Sequence, residues 1–187
     1  DAEYGRRKLL RVRHRLIQMR QQTVNQLRGL LNAYQIPAPP GSLCTGPSLQ
    51  KLATVGLPVP ELQRAFDALR AVLERLQEQI QVLSADIRAW ARTDPAVAAL
   101  VATLPSIGAQ SAATLLAELG DPHRFARSRA VAAYSGFVPR VSQSADRAHH
   151  GRMTKQGNPE LRWITSQWAV RLLTSDLKDS IMIPEEA

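Results

Sequence analysis

Apolar positions recur at helical spacing along most of the chain, and strand-like alternation is almost absent. From roughly Arg6 to Tyr34, Leu10, Ile17, Val24 and Leu31 repeat every seven residues, and Leu9, Val12, Leu16, Met19, Leu27 and Leu30 widen the same stripe. That pattern predicts one long helix, stopped by Pro37, Pro39, Pro40 and Gly41. Residues 37–60 carry Gly46, Pro47, Gly56, Pro58 and Pro60, so they read as a loop with at most a short helix around Leu49 to Ala53. From about Pro60 to Arg92 the apolar residues Leu62, Phe66, Leu69, Leu73, Leu76, Ile80, Leu83, Ile87 and Trp90 follow at alternating spacings of 4 and 3. A heptad seam of that length reads as coiled coil. The two long helices could pair within the chain, across a dimer, or both.

Shorter elements follow. Asp94-Pro95 supplies an N-cap and a proline at the first helical position, opening a helix to about Thr103. Leu104 to Leu116 then has the form of a Pro/Gly hairpin between two apolar helices, the second ending near Gly120. Another helix is expected over about Ser128 to Ser135, closed by Gly136. Phe137 to Gly157 has no sustained periodicity and reads as a polar loop. Asn158-Pro159-Glu160 starts a last helix with Leu161, Ile164, Trp168 and Leu172 on one face. The expected fold is all-α: a long coiled-coil helical hairpin, then a compact helical domain with a helix-hairpin-helix element. The boundaries fall at 1–93 (with the Pro/Gly-rich loop at 35–60), 94–174, and an acidic tail at 175–187.

With 187 residues and 44% apolar content, the chain can bury a core and is not wholly disordered. No run of about 18 uncharged apolar residues exists to span a membrane. The opening Asp-Ala-Glu-Tyr-Gly-Arg-Arg does not read as a secretory signal. Cys44 is the single cysteine, so an intramolecular disulfide is excluded and a reducing cytoplasm is the default expectation. The net charge of +8 is unevenly placed. Residues 1–30 carry 8 basic and 2 acidic groups, and residues 121–171 carry 9 and 3. The stretch between them is nearly neutral. Two basic blocks are the footprint of a phosphate-rich partner, although solvated helix faces give the same count.

Two segments carry candidate chemistry. In Leu104 to Leu116, Gly108 permits close backbone approach, and the N–H groups opening the next helix can hold a phosphate oxygen. A plain α-hairpin turn is the competing reading. In the Gly136 to Gly157 loop, a serine surrounded by Arg140, Arg147, Arg152 and Lys155 suits attack on a phosphodiester. The cations would stabilise charge on phosphorus and lower the serine's proton affinity. His149 and His150 could shuttle protons, but adjacent loop histidines are commonly only polar. Alone they are too few for a metal site, so no metal ligands are expected in this chain.

Several ordered blocks resemble one family. They are Leu104-Pro105-Ser106-Ile107-Gly108, Leu115 to Asp121 with Arg124-Phe125, Ala132 to Arg140, and Gly151 to Asn158 with Leu161-Arg162. Together, over about Val97 to Val170, they are similar to the C-terminal transposase domain of the insertion sequence one-hundred-ten family. Those proteins are bridge-RNA-guided DNA recombinases, and the heptad helices resemble the family's coiled-coil connector. The resemblance implies a serine nucleophile after the Gly-hydrophobic-x-Pro-Arg block, forming a transient phosphoserine link to DNA. By position that is Ser144, with Ser142 the competitor. The family commonly has glycine next, where this chain has Ala145.

The resemblance further implies DNA as partner, and the residues expected to contact nucleic acid are Gly108, Arg140, Arg147, Arg152, Lys155 and Arg162. A guide RNA is implied by the family, and a homo-oligomer by the coiled coil. Full-length members begin with a resolvase-like domain whose carboxylates bind divalent metal (Mg). This chain starts at the connector, and its end at Ser175 to Ala187 is short and acidic. It is expected to be a truncated or decayed copy that binds nucleic acid, cannot complete recombination alone, and resides with the nucleoid in the cytoplasm of a bacterium or archaeon. The rivals are a non-catalytic DNA- or RNA-binding module and a coiled-coil assembly protein.

Overall fold

The computed structural model describes residues 2–144 and 147–174, with the backbone alone at 140–144 and 147–150. Its elements are α1 (Ala2–Ala33), α2 (Gly46–Ala53), α3 (Pro60–Thr93), α4 (Pro95–Thr103), α5 (Ala109–Leu119), a 3-10 turn (Pro122–Arg124), α6 (Ser128–Ser135), β1 (Pro139–Ser144), β2 (Arg147–Met153) and α7 (Pro159–Thr174). They form two compact units. One is Lys8–Ile87; the other is Arg88–Ala187 joined by Asp1–Arg7. The acidic tail at 175–187 lies outside the described residues.

In the Lys8–Ile87 unit, α1 and α3 pair as an antiparallel hairpin. Arg13 Nε donates to Ser84 Oγ at 2.7 Å and an Arg20 N–H to Gln77 Oε1 at 2.9 Å, so seven residues forward on α1 are seven back on α3. Pairing within the chain is thus realised. The seam faces inward as the heptads predict: Phe66, Leu73, Leu76, Ile80 and Ile87 are buried, while the off-seam Val72 and Val82 are exposed. Val24, Leu27 and Leu31 of α1 meet Phe66 and Leu73, and Leu43 and Leu52 close this core from the loop and α2. Thr45 caps α2, which begins three residues earlier than expected because Gly46 and Pro47 fit its first turn.

The second unit is built around α5, which packs on α4 and α7. Ala91, Val97, Ile107, Ala112 and Ala113 form its core. Small alanines let the helices approach closely, and Trp168 of α7 ties in by donating its indole N–H to the Pro105 carbonyl at 2.9 Å. Asp94 caps α4 through Oδ1 to the Ala96 and Val97 amides. Its Oδ2 accepts from Arg6 at 3.2 Å, and the Arg6 guanidinium lies 4.8 Å from the Trp90 ring centroid. Arg7 Nε reaches the Ala117 carbonyl at 2.6 Å. The first turns of α1 are thereby stitched into the unit that begins at Arg88.

The all-α expectation holds, with one addition. The polar stretch expected to be a loop contains a β-hairpin, β1 against β2, antiparallel. Alternation fails to announce it because neither face of the pair is apolar. Its position is fixed instead by long-range contacts at its base.

Candidate functional site

The ribbon leaves α6 at Gly136 and re-enters helix at Asn158. Gly136 is left-handed (φ +77°) and ends α6, its N–H donating to the Ala132 and Ala133 carbonyls. A side chain there would meet Arg162 Nη1 at 2.8 Å. Gly157 is tighter: a Cβ would lie 2.5 Å from the Tyr134 oxygen and 2.6 Å from the Gly136 nitrogen, both backbone atoms. The two ends of the ribbon cross at these glycines. Asn158 N–H donates to Tyr134 O at 2.8 Å, and Thr154 N–H to Val138 O at 2.9 Å.

Register places Ser144 opposite Arg147 at the ribbon tip, Gln143 opposite Ala148, Ser142 opposite His149, and Val141 opposite His150. Positions two apart, and positions directly opposite, share a face. Residues 142, 144, 147 and 149 therefore fall on one face by register, and 141, 143, 148 and 150 on the other. The substitution of glycine by Ala145 lies outside the described residues. The pairing is irregular between Pro139 and Val141, so Arg140 sits at the distorted end. Arg152 and Lys155 are exposed farther down. Lys155 has a left-handed backbone (φ +53°) at the junction.

Arg162 serves the base rather than the tip. Its Nη1 donates to the Ser135 and Lys155 carbonyls, both at 3.1 Å, bridging the two legs of the ribbon. Gly108 is remote in sequence. It is the N-cap of α5, with φ −87° and open space where a Cβ would stand. The fold itself does not require a glycine there.

A second group of residues supports the base. Glu118 on α5 is only 2% exposed, and its Oε2 accepts from Asn158 Nδ2 at 2.8 Å. Asn158 Oδ1 caps α7 through the Glu160 and Leu161 amides at 3.0 and 3.2 Å. Arg124 lies over Phe125 and Tyr134, 4.5 and 4.6 Å from the ring centroids. A hydrogen bond from Arg124 is the main cause lowering the Tyr134 phenol's pKa below its ordinary 10.0, helped by one from Asn158. Desolvation and the Glu118 carboxylate oppose the shift. Of these residues the sequence singled out only Asn158, as the start of the last helix; for Glu118, Arg124, Phe125 and Tyr134 the one signal was membership of the blocks that carry the family resemblance. Among the described residues no three His, Cys, Asp or Glu side chains converge to hold a metal.

Residues 98–180 match a family described as the transposase IS116/IS110/IS902 family. The chain resembles the IS110-family transposases over most of its length. It is 30% identical over 168 residues to the transposase for insertion sequence element IS1111A of Coxiella burnetii, covering 88% of this chain and 46% of that protein. It is 32% identical over 155 residues to a probable family 20 transposase of Pseudomonas aeruginosa, covering 81% and 46%. Against the transposase for insertion sequence element IS1328 of Yersinia enterocolitica it is 30% identical over 165 residues, covering 86% and 48%. The chain spans about half the length of the curated relatives it matches. The IS110-family match of 98–180 takes in α5, the crossing at Gly136 and Gly157, the whole ribbon and α7. No helix among the described residues is long and apolar enough to cross a membrane.

Proposed function

We propose that this chain is part of a DNA transposase in which Ser144 attacks a DNA phosphodiester. The observation carrying the reading is the ribbon register, which pairs Ser144 with Arg147 at the tip of a hairpin held at its base. In the proposed step Ser144 Oγ bonds to phosphorus and gives up its proton, and a deoxyribose oxygen leaves and takes up a proton. Attack on the phosphoserine by a hydroxyl of the receiving strand then restores the serine. Arg140, Arg147, Arg152 and Lys155 offset charge on the phosphate. Of the two histidines, His149 shares the face of Ser142 and Ser144 by register, so it is the better proton carrier. Gly108 offers the α5 N-terminus to a neighbouring phosphate, consistent with a glycine that nothing inside the fold requires.

The metal-binding carboxylates of a resolvase-like domain, expected from the family resemblance, would complete the site. A guide RNA and self-assembly through the connector helices belong to the same proposal. Incubation with nicked or branched DNA and Mg²⁺, with and without an intact relative, followed by denaturing electrophoresis, tests it. A covalent adduct of this chain should form, vanish in Ser144→Ala and persist in Ser142→Ala. The reverse pattern moves the nucleophile to Ser142. DNA binding without an adduct under either condition leaves a binding module.

A further inference from the structure

We propose that Glu118 is a positioning residue: through Asn158 it fixes the base of the β1–β2 ribbon and so sets where Ser144 is presented. The proposal rests on the assignment of Ser144 above. Burying a carboxylate costs several kcal/mol, typically offset only by well-placed donors, and an apolar residue of similar size would pack α5 at lower cost. Apolar contact, however, has no direction. The 2.8 Å bond from Asn158 Nδ2 to Glu118 Oε2 does, and it joins residues 40 apart in sequence.

Asn158 is the point where such a bond has the most effect. Its N–H is held by Tyr134 O, its Oδ1 by two amides of α7, and its own carbonyl accepts from the Arg162 amide at 3.2 Å. Glu118 occupies the amide nitrogen. Every polar group of this residue is then bonded, to α5, α6 and α7 at once. Gly157 beside it permits no slack, because even a Cβ there would overlap the Tyr134–Gly136 backbone. The strand leaving this junction is β2, whose far end pairs with Ser144. A small tilt at the junction is magnified along the ribbon, and a misplacement of about 1 Å in a reacting group costs on the order of a hundredfold in rate.

Three variants of the whole chain test this. Glu118→Leu keeps the packing and loses the bond. Glu118→Gln keeps an acceptor. Asn158→Ser keeps an N-cap for α7 but is too short to reach Glu118. At saturating nicked DNA, Glu118→Leu and Asn158→Ser should each slow adduct formation at least about tenfold with DNA affinity within about twofold. Glu118→Gln should recover to within about threefold, and the double variant should be no worse than either single one. Wild-type rates in Glu118→Leu and Asn158→Ser, or rate and affinity falling together, would overturn the proposal.

Hydrogen exchange separates it from the serine assignment. If the wild-type chain forms no adduct, that assignment fails, and the amides of Thr154 and Asn158 decide the clamp alone. They should exchange at least about tenfold faster in Glu118→Leu and Asn158→Ser, with α4 and α5 amides unchanged. Unchanged protection at Thr154 and Asn158 sinks the clamp. Should Glu118→Leu fail to fold, Asn158→Ser carries both measurements.

Discussion

The two basic stretches of this chain have nearly the same composition and different uses. On α1, Arg7, Arg13, Arg20 and Arg28 donate to the Ala117 carbonyl, Ser84, Gln77 and the Gly41 carbonyl. Those acceptors are neutral, so the side chains are tied without being neutralised by them, although Arg7 also pairs with Glu3 at 3.2 Å. Along the ribbon, Arg152 and Lys155 stand exposed, while among the described side chains Arg124 and Arg162 are committed to the scaffold. The same formal charge therefore marks a helix-packing surface in one place and a phosphate-facing one, as proposed, in the other. Arginine suits both because its planar fork can satisfy several carbonyls or grip a phosphate.

The largest expected effect tests whether the ribbon base is as rigid as the comparison needs. Gly157→Ala should lose about 3 kcal/mol or more in urea denaturation, because both clashing atoms are backbone. A loss below about 1 kcal/mol would mean a base that yields, and no fixed presentation of the tip. Next comes the direct contrast between blocks. Arg13→Ala and Arg20→Ala should each cost about 1 kcal/mol of stability and leave the salt slope of DNA binding alone. Arg152→Ala should cost under about 0.5 kcal/mol and lower that slope by about 0.9. Equal slopes for both classes would erase the distinction.

Two smaller effects sharpen it. Gly108→Ser should change stability by no more than about 0.5 kcal/mol, since serine is a good N-cap, yet weaken DNA binding measurably in a fluorescence titration. Tyr134 should ionise below the usual 10.0 in an ultraviolet pH titration, and Arg124→Gln should raise it. Because the folded pKa is the lower one, this contribution to stability is present above the unfolded value and fades as pH falls through the folded value. At neutral pH Arg124→Gln should thus show no phenol-linked stability change. A tyrosine titration unmoved by that substitution would remove Arg124 from the base network.

Helix ends were the most legible part of the sequence. Pro60, Asp94, Gly120, Gly136 and Asn158 mark boundaries through chemistry that acts within a turn, and the helices start or stop beside them. The heptad seam was equally readable because burial along α3 follows from spacing alone. The ribbon was not. Val141 alternates with Gln143, and Ser142 with Ser144, so no apolar face reports a strand. What holds it is a glycine crossing between 136 and 157 and a bond from 118 to 158, contacts that only the folded chain brings together. The basic residues around a candidate serine were therefore readable in the sequence, and the choice of Ser144 came by resemblance, while the support beneath them was legible in neither.

Arg6 and Arg7 have a consequence for the order of assembly. Arg6 meets Asp94 across 88 residues, and Arg7 meets the Ala117 carbonyl across 110. During synthesis these two side chains emerge well before their partners and wait for them. The intervening segment can be long at little thermodynamic cost, since doubling a closed loop adds only about 0.6 kcal/mol. A domain expressed from Arg88 onward would lack both tethers from the outset. Arg6 and Arg7 are thus among the last side chains of this stretch to find their places.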